Sequence, residues 1–180
     1  GGVALTWFAP NEPGAGAISD YTIQYSSDGG GSWKAFADGT STATSAAVTG
    51  LKNGTSYIFR VAAVNSLGAG LFSIPSAGVT PRTFPNAPTG VKATAGDGQV
   101  SLSWSAPAVT GGAAIVDYVV QYSSNGGVLW TDFADGPSSA TTAVVGGLSN
   151  GTSYVFRVAA VNVAGQSPFS GNSGAAMPRI

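Results

Sequence analysis

Displaced by 97 positions, the chain overlays itself without a gap: Trp7 falls on Trp104, Tyr57 on Tyr154 and Pro81 on Pro178, and more than half of the overlapping residues are identical. A match that runs through every loop means that two copies solve one packing problem, so each apolar position is read twice. The 180 residues therefore divide into two units, 1–82 and 89–180, joined by a connector at 83–88. Units of nearly a hundred residues are large enough to bury a core of their own. They must do so without cross-links, because the chain has no cysteine and no histidine. Disulfides, thiolate zinc sites and nucleophile systems built on Cys–His or Ser–His–Asp are excluded.

The second copy is the complete one. Residues 89–95 read Thr-Gly-Val-Lys-Ala-Thr-Ala, Gly96-Asp97-Gly98 turns the chain, and Val100, Leu102 and Trp104 then alternate with polar neighbours. Period two with a polar opposite face predicts a strand buried on one side. Tyr118, Val120 and Tyr122 repeat the pattern, Ser124-Asn125-Gly126-Gly127 is a hairpin signal, and residues 128–134 return from it. Further strands are predicted around 142–145, from Tyr154 to Asn162, and within 171–178. Seven strands without helical periodicity predict an all-β antiparallel sandwich of two sheets.

At Leu148-Ser-Asn-Gly-Thr-Ser-Tyr154, repeated as Leu51-Lys-Asn-Gly-Thr-Ser-Tyr57, the pattern becomes specific. In both copies the Tyr opens a strand that continues Phe-Arg-Val-Ala-Ala-Val-Asn. A Leu six residues ahead of a Tyr at the corner between the fifth and sixth strands resembles the tyrosine corner of immunoglobulin-like sandwiches. With Trp7 and Trp104 on the second strand and the Tyr-x-x-Gln-Tyr third strand (Tyr21 to Tyr25, Tyr118 to Tyr122), nearly the whole chain resembles the fibronectin type III family. The Gly-Gly hairpin followed by Trp resembles the bacterial branch of that family, found in secreted polysaccharide-degrading enzymes, surface adhesins and phage structural proteins. The resemblance implies two tandem seven-stranded sandwiches without a cofactor. It does not imply integrin binding, since no Arg-Gly-Asp tripeptide is present.

The first copy has nothing to match residues 89–95, so its sandwich is expected to lack the first strand. The open edge this leaves is an aggregation liability. It is expected to be covered by residues ahead of Gly1, covered by a strand donated from a neighbouring chain, or left bare, and the chain itself reads as a window on a longer array. An odd number of antiparallel strands places entry and exit at opposite poles, and the connector has two prolines in six residues. Stiff connectors of this kind predict a semi-rigid rod.

Charged side chains make up 8% of the chain, against roughly a quarter in ordinary domains. Seven basic and eight acidic residues, scattered singly, give neither a footprint for nucleic acid nor a patch for anionic lipid. No stretch reaches the roughly 18 apolar residues of a membrane span. The hydroxyl-rich, weakly charged surface favours close neighbours. Glycoside hydrolysis requires two carboxylates facing across a cleft, and Asp20, Asp38, Asp117 and Asp135 fall instead at strand starts and turns. No repeated Asp-x-Asp spacing suggests calcium.

These features predict a non-catalytic spacer or assembly scaffold within an extracellular, cell-surface or virion protein, with neighbouring domains or subunits as partners. Leu67, Leu71, Phe72 and Phe169 are the candidate partner contacts. The reading from another class is a carbohydrate-binding accessory to a polysaccharide hydrolase, in which Trp33 and Trp130 stack on sugar rings; the bland alternative is that each covers the edge of its own core. Asn53 and Asn150 open Asn-Gly-Thr sequons, and Asn-Gly is equally what a tight turn requires.

Overall fold

A computed structural model describes residues 1–14 and 16–180. They form two compact units, Gly1–Arg82 and Thr83–Ile180. In the second unit one sheet joins β11 (Thr142–Gly146), β8 (Gln99–Ser105) and β7 (Thr89–Ala95) in that order. The other joins β10 (Thr131–Phe133), β9 (Asp117–Ser123), β12 (Val155–Asn162) and β13 (Gly165–Gln166). All pairings are antiparallel, and Tyr122 faces Phe156 across the β9–β12 ladder.

The alternation read from the sequence sets which face is dry. Val100, Leu102, Trp104, Tyr118, Val120, Val145, Phe156 and Val158 meet in one buried cluster, while the serines between them on β8 face water. Indole and phenol pack edge to face, Trp104 on Tyr118 at 5.3 Å between ring centroids, a geometry aromatic pairs prefer.

The first unit repeats this plan with β1 (Gly2–Thr6) on β4 (Ser45–Thr49), and β3 (Lys34–Phe36), β2 (Asp20–Ser26), β5 (Ile58–Asn65) and β6 (Gly68–Ala69) in the second sheet. Among the described residues its β1 pairs with β4 alone, where β8 lies between two partners. Val3, Leu5 and Trp7 are consequently only partly buried, whereas Val100 and Leu102 are 0% and 2% exposed.

The six connector residues are built into the second unit. Thr83 N–H donates to Gly111 O at 2.9 Å and Asn86 N–H to Val109 O at 3.0 Å. Pro85 and Pro88 are fully buried.

The last strand of each unit departs from the sequence expectation. In place of a continuous ladder within 171–178, the chain beyond β13 makes one bridge there, Tyr154 to Ala176, and otherwise contacts β12 through every third residue. Ser167, Ser170 and Ser173 donate their N–H groups to the carbonyls of Ala160, Val158 and Phe156, each at 2.8 Å. Their hydroxyls accept the N–H groups of the same three residues at 2.9–3.0 Å. One serine thus supplies both bonds that a strand residue would exchange with its partner, and three residues of chain answer two of β12. The first unit keeps two rungs, Ser73 on Val61 and Ser76 on Phe59, and has Gly70 in the third place.

Candidate functional site

At each corner the Tyr hydroxyl accepts a backbone N–H five residues upstream: Lys52 N–H to Tyr57 at 3.0 Å, and Ser149 N–H to Tyr154 at 3.2 Å. Leu51 and Leu148 are buried beside them. The Asn-Gly turns between Leu and Tyr place Gly54 and Gly151 at φ +80°. Asn150 is fully engaged there, accepting Gly98 N–H at 2.9 Å and donating to Asp97 at 2.8 Å.

Trp33, Arg60 and Phe72, far apart in sequence, are brought together on the outer face of the larger sheet. Gln24 and Arg60 are cross-strand partners, and the guanidinium donates to Gln24 Oε1 from Nε at 2.9 Å and from Nη2 at 2.6 Å. Held in that plane, Arg60 lies 4.0 Å over the Trp33 ring and 4.4 Å over the Phe72 ring. The second unit repeats the arrangement: Arg157 lies 4.1 Å over Trp130 and 4.3 Å over Phe169 and donates to Gln121 at 2.7 Å. A guanidinium over an aromatic ring is attracted by the electron-rich face. The hairpin delivers the indole: Gly127 sits at φ +94°, and a Cβ there would approach Trp130 to 3.1 Å.

This geometry divides the sequence candidates. Trp33 and Trp130 each have one face covered by arginine, and both are partly buried. Phe72 and Phe169 belong to the same stacks. Leu67 and Leu71 instead stand in solvent, 79% and 97% exposed. The arginines were not among the candidates, although Arg sits at the same place in both copies, opposite a Gln and following a Trp hairpin.

Several of the acidic groups brace turns and loops. Asp20 and Asp117 accept the backbone N–H groups of Ser41 and Ser138, each at 2.9 Å. The hydroxyls of Ser26 and Ser32, then the Ser32 N–H, hold the Asp28 carboxyl well below the usual carboxylate range. Asn125 takes its place in the second unit, accepting Leu129 N–H at 2.9 Å.

One concavity stands out, a hollow of about 600 Å³ in the first unit, lined among others by Trp7, Phe8, Tyr21, Asn65, Leu67 and Leu71. Its counterpart in the second unit is filled by residues 83–88. There Asn162 Nδ2 donates to Thr83 O at 2.9 Å and Thr110 O at 2.8 Å, while Asn65 Nδ2 donates to Pro13 O at 2.9 Å.

The model of the fibronectin type III domain matches residues 1–79 and 86–174. The chain belongs to the fibronectin type III family. Among its relatives, human myomesin-2 is 36% identical over 122 residues, 66% of this chain and 8% of that protein. The Kelch domain-containing protein SSO1033 of Saccharolobus solfataricus is 33% identical over 126 residues, 69% of this chain and 16% of that protein. Chicken cardiac-type myosin-binding protein C is 34% identical over 115 residues, 63% of this chain and 9% of that protein. The match thus spans a small part of these relatives' length. Among solved structures, the chicken CNTN1 FN1–FN3 domains are 28% identical with a TM-score of 0.50, covering 95% of this chain and 60% of that one. Domains A168-A170 from titin share the fold, with a TM-score of 0.59 at 20% identity over 99% of this chain and 66% of that one.

Proposed function

We propose that this fibronectin type III pair is a non-catalytic spacer and interaction scaffold within a longer multidomain protein, in an extracellular, cell-surface or virion assembly. The observation that carries the reading is what the side chains common to both copies do. Trp33, Arg60, Phe72, Gln24 and Tyr57, and their counterparts in the second unit, are engaged in holding their own sandwich together. Repetition has therefore preserved a mechanical module. The length of its relatives supports this reading, since myomesin-2 and myosin-binding protein C are many times longer than the matched segment. A surface with 8% charged residues supports close packing among neighbours.

The test sets this reading against carbohydrate binding. Incubated with insoluble chitin or cellulose, the chain is expected to stay in the supernatant, because the arginine over each indole occupies a face on which a sugar ring would stack. Retention on either polymer that disappears in a Trp33→Ala, Trp130→Ala double variant would establish a sugar-binding accessory instead.

A further inference from the structure

We infer that the Gly-Gly hairpin of the second unit is a self-modifying site: in the folded chain Asn125 loses its amide to the backbone nitrogen of Gly126 and becomes aspartate or isoaspartate, while Asn53 and Asn150, in the same dipeptide, are held back. The inference goes beyond the scaffold reading and does not depend on it.

Asn-Gly pairs occur at 53–54, 125–126 and 150–151. The chemistry asks the same of each. The Gly N–H must be free to give up its proton, its nitrogen must bond to the Asn Cγ, and the side-chain nitrogen must leave as ammonia. Glycine obstructs that approach least, having no Cβ. By sequence the three pairs are therefore alike.

The structure separates them at the nucleophile. Gly54 N–H donates to Pro81 O and Gly151 N–H to Pro178 O, each at 2.9 Å. Gly126 N–H donates to no group among the described residues. The N–H groups on either side of it, of Asn125 and Gly127, donate to Ser123 Oγ at 3.3 and 2.9 Å. Gly126 stands between them, exposed, at φ +73° and with nothing within 4 Å of the place a Cβ would take.

The electrophile differs as well. Asn125 Oδ1 accepts the Ser123 hydroxyl at 2.8 Å, Leu129 N–H at 2.9 Å and Val128 N–H at 3.2 Å. Attack at Cγ puts negative charge on this oxygen, and donors already aimed at it stabilise the tetrahedral intermediate. At Asn150 the leaving nitrogen is instead held by Asp97 at 2.8 Å. At Asn53 the Oδ1 is buried without a partner, so charge developing there is left unsupported.

The reaction needs only water. Gly126 N loses its proton as the N–Cγ bond forms, the Cγ–Nδ2 bond breaks, and ammonia leaves with that proton, so that a cyclic imide remains. Water opens the imide at Cγ to give aspartate, or at the main-chain carbonyl carbon to give isoaspartate with an extra methylene in the backbone. The first copy shows how aspartate is accommodated: Asp28 accepts the Ser26 hydroxyl at 2.6 Å and Ser32 N–H at 2.9 Å. Isoaspartate lengthens the turn and shifts its carboxyl, so Val128 and Leu129 lose their acceptor. These residues are 77% and 72% exposed, where the first copy has Gly31 and Ser32. The modification thus governs how an apolar hairpin tip is presented, and it adds one negative charge to a chain of formal net charge −1.

The whole chain is aged in mildly alkaline buffer, native and in denaturant, and each pair is followed by peptide mass spectrometry, with isoaspartate counted by an isoaspartyl methyltransferase. In denaturant the three pairs are expected to convert at similar rates. In the native chain Asn125 is expected to keep most of that rate, and Asn53 and Asn150 to fall at least about fivefold behind it, the factor for releasing one hydrogen-bonded N–H. Asn125→Gln, whose larger ring closes slowly, should remove the main acidic species on ion exchange. Hydrogen exchange should find the Val128 and Leu129 amides protected in the parent chain and in Asn125→Asp, and unprotected in the isoaspartate fraction. The inference is overturned if Asn125 converts no faster than the other two in the native chain, if folding silences all three alike, or if the acidic species persists in Asn125→Gln.

Discussion

The corner tyrosines show how one atom ties a sandwich. Tyr154→Phe keeps the ring in its edge-to-face contact with Tyr122, at 6.0 Å between centroids, and removes only the acceptor for Ser149 N–H. A hydrogen bond of this kind contributes about 1 kcal/mol net, so a shift of that size is expected in the urea unfolding of the second unit, and an unchanged midpoint would show that water satisfies Ser149 equally well. Asp28 offers a different tie, one that titrates. Its folded carboxyl is depressed, so the stability it contributes is fully present above the unfolded value of about 3.9 and is lost as pH falls below it. Asp28→Asn copies Asn125 of the second unit and cannot titrate. The variant is therefore expected to show a shallower loss of first-unit melting temperature between about pH 4 and pH 2 than the parent chain, by less than the uptake of one full proton. Parallel curves for variant and parent would mean that the Ser26 and Ser32 bonds do not favour the charged form.

The strands themselves were legible because each carries a period the backbone imposes: Val100, Leu102 and Trp104 alternate, and a slip of one residue would turn all three to water. The final strand is only partly legible because Ser167, Ser170 and Ser173 recur every third residue, a spacing that belongs neither to a strand nor to a helix. The period makes sense only with β12 beside it, where each serine serves one alternate residue. The Trp–Arg–Phe stack was half legible for a related reason. Trp33 and Trp130 announced themselves as large aromatics after a glycine hairpin, but Arg60 and Arg157 read as ordinary outward-facing strand residues until Gln24 and Gln121 fixed their planes. The serine rungs yield a comparison between the copies. Ser170→Ala leaves the Val158 N–H without its partner in a fully buried setting, whereas Ser73→Ala frees the Val61 N–H where water reaches it. Leaving a buried donor unpaired costs about 1 to 3 kcal/mol, so Ser170→Ala is expected to destabilise its unit by that amount and Ser73→Ala by clearly less, as chemical denaturation of each variant would show. Equal costs would mean that the rungs are not distinguished by burial.

Two copies that share more than half of their residues need not have equal stability, because corresponding apolar residues are buried to different extents in the two units. Each core is its own cluster. In the second, β8 lies between β7 and β11 and Leu102 is 2% exposed; in the first, Leu5 on β1 is only partly buried and, among the described residues, β4 alone flanks it. Burial stabilises in proportion to the apolar area removed from water, so calorimetry is expected to resolve two transitions, the lower belonging to the first unit. Leu102→Ala should lower the upper transition by an amount equivalent to about 2 to 5 kcal/mol, the range for fully buried leucines, and leave the lower one in place. Leu5→Ala should move the lower transition alone, and by less, since part of its side chain is already in water. A single transition that responds to both leucine variants would instead mean that the two sandwiches unfold as one body, and the difference in burial between β1 and β8 would then have no separate thermodynamic expression.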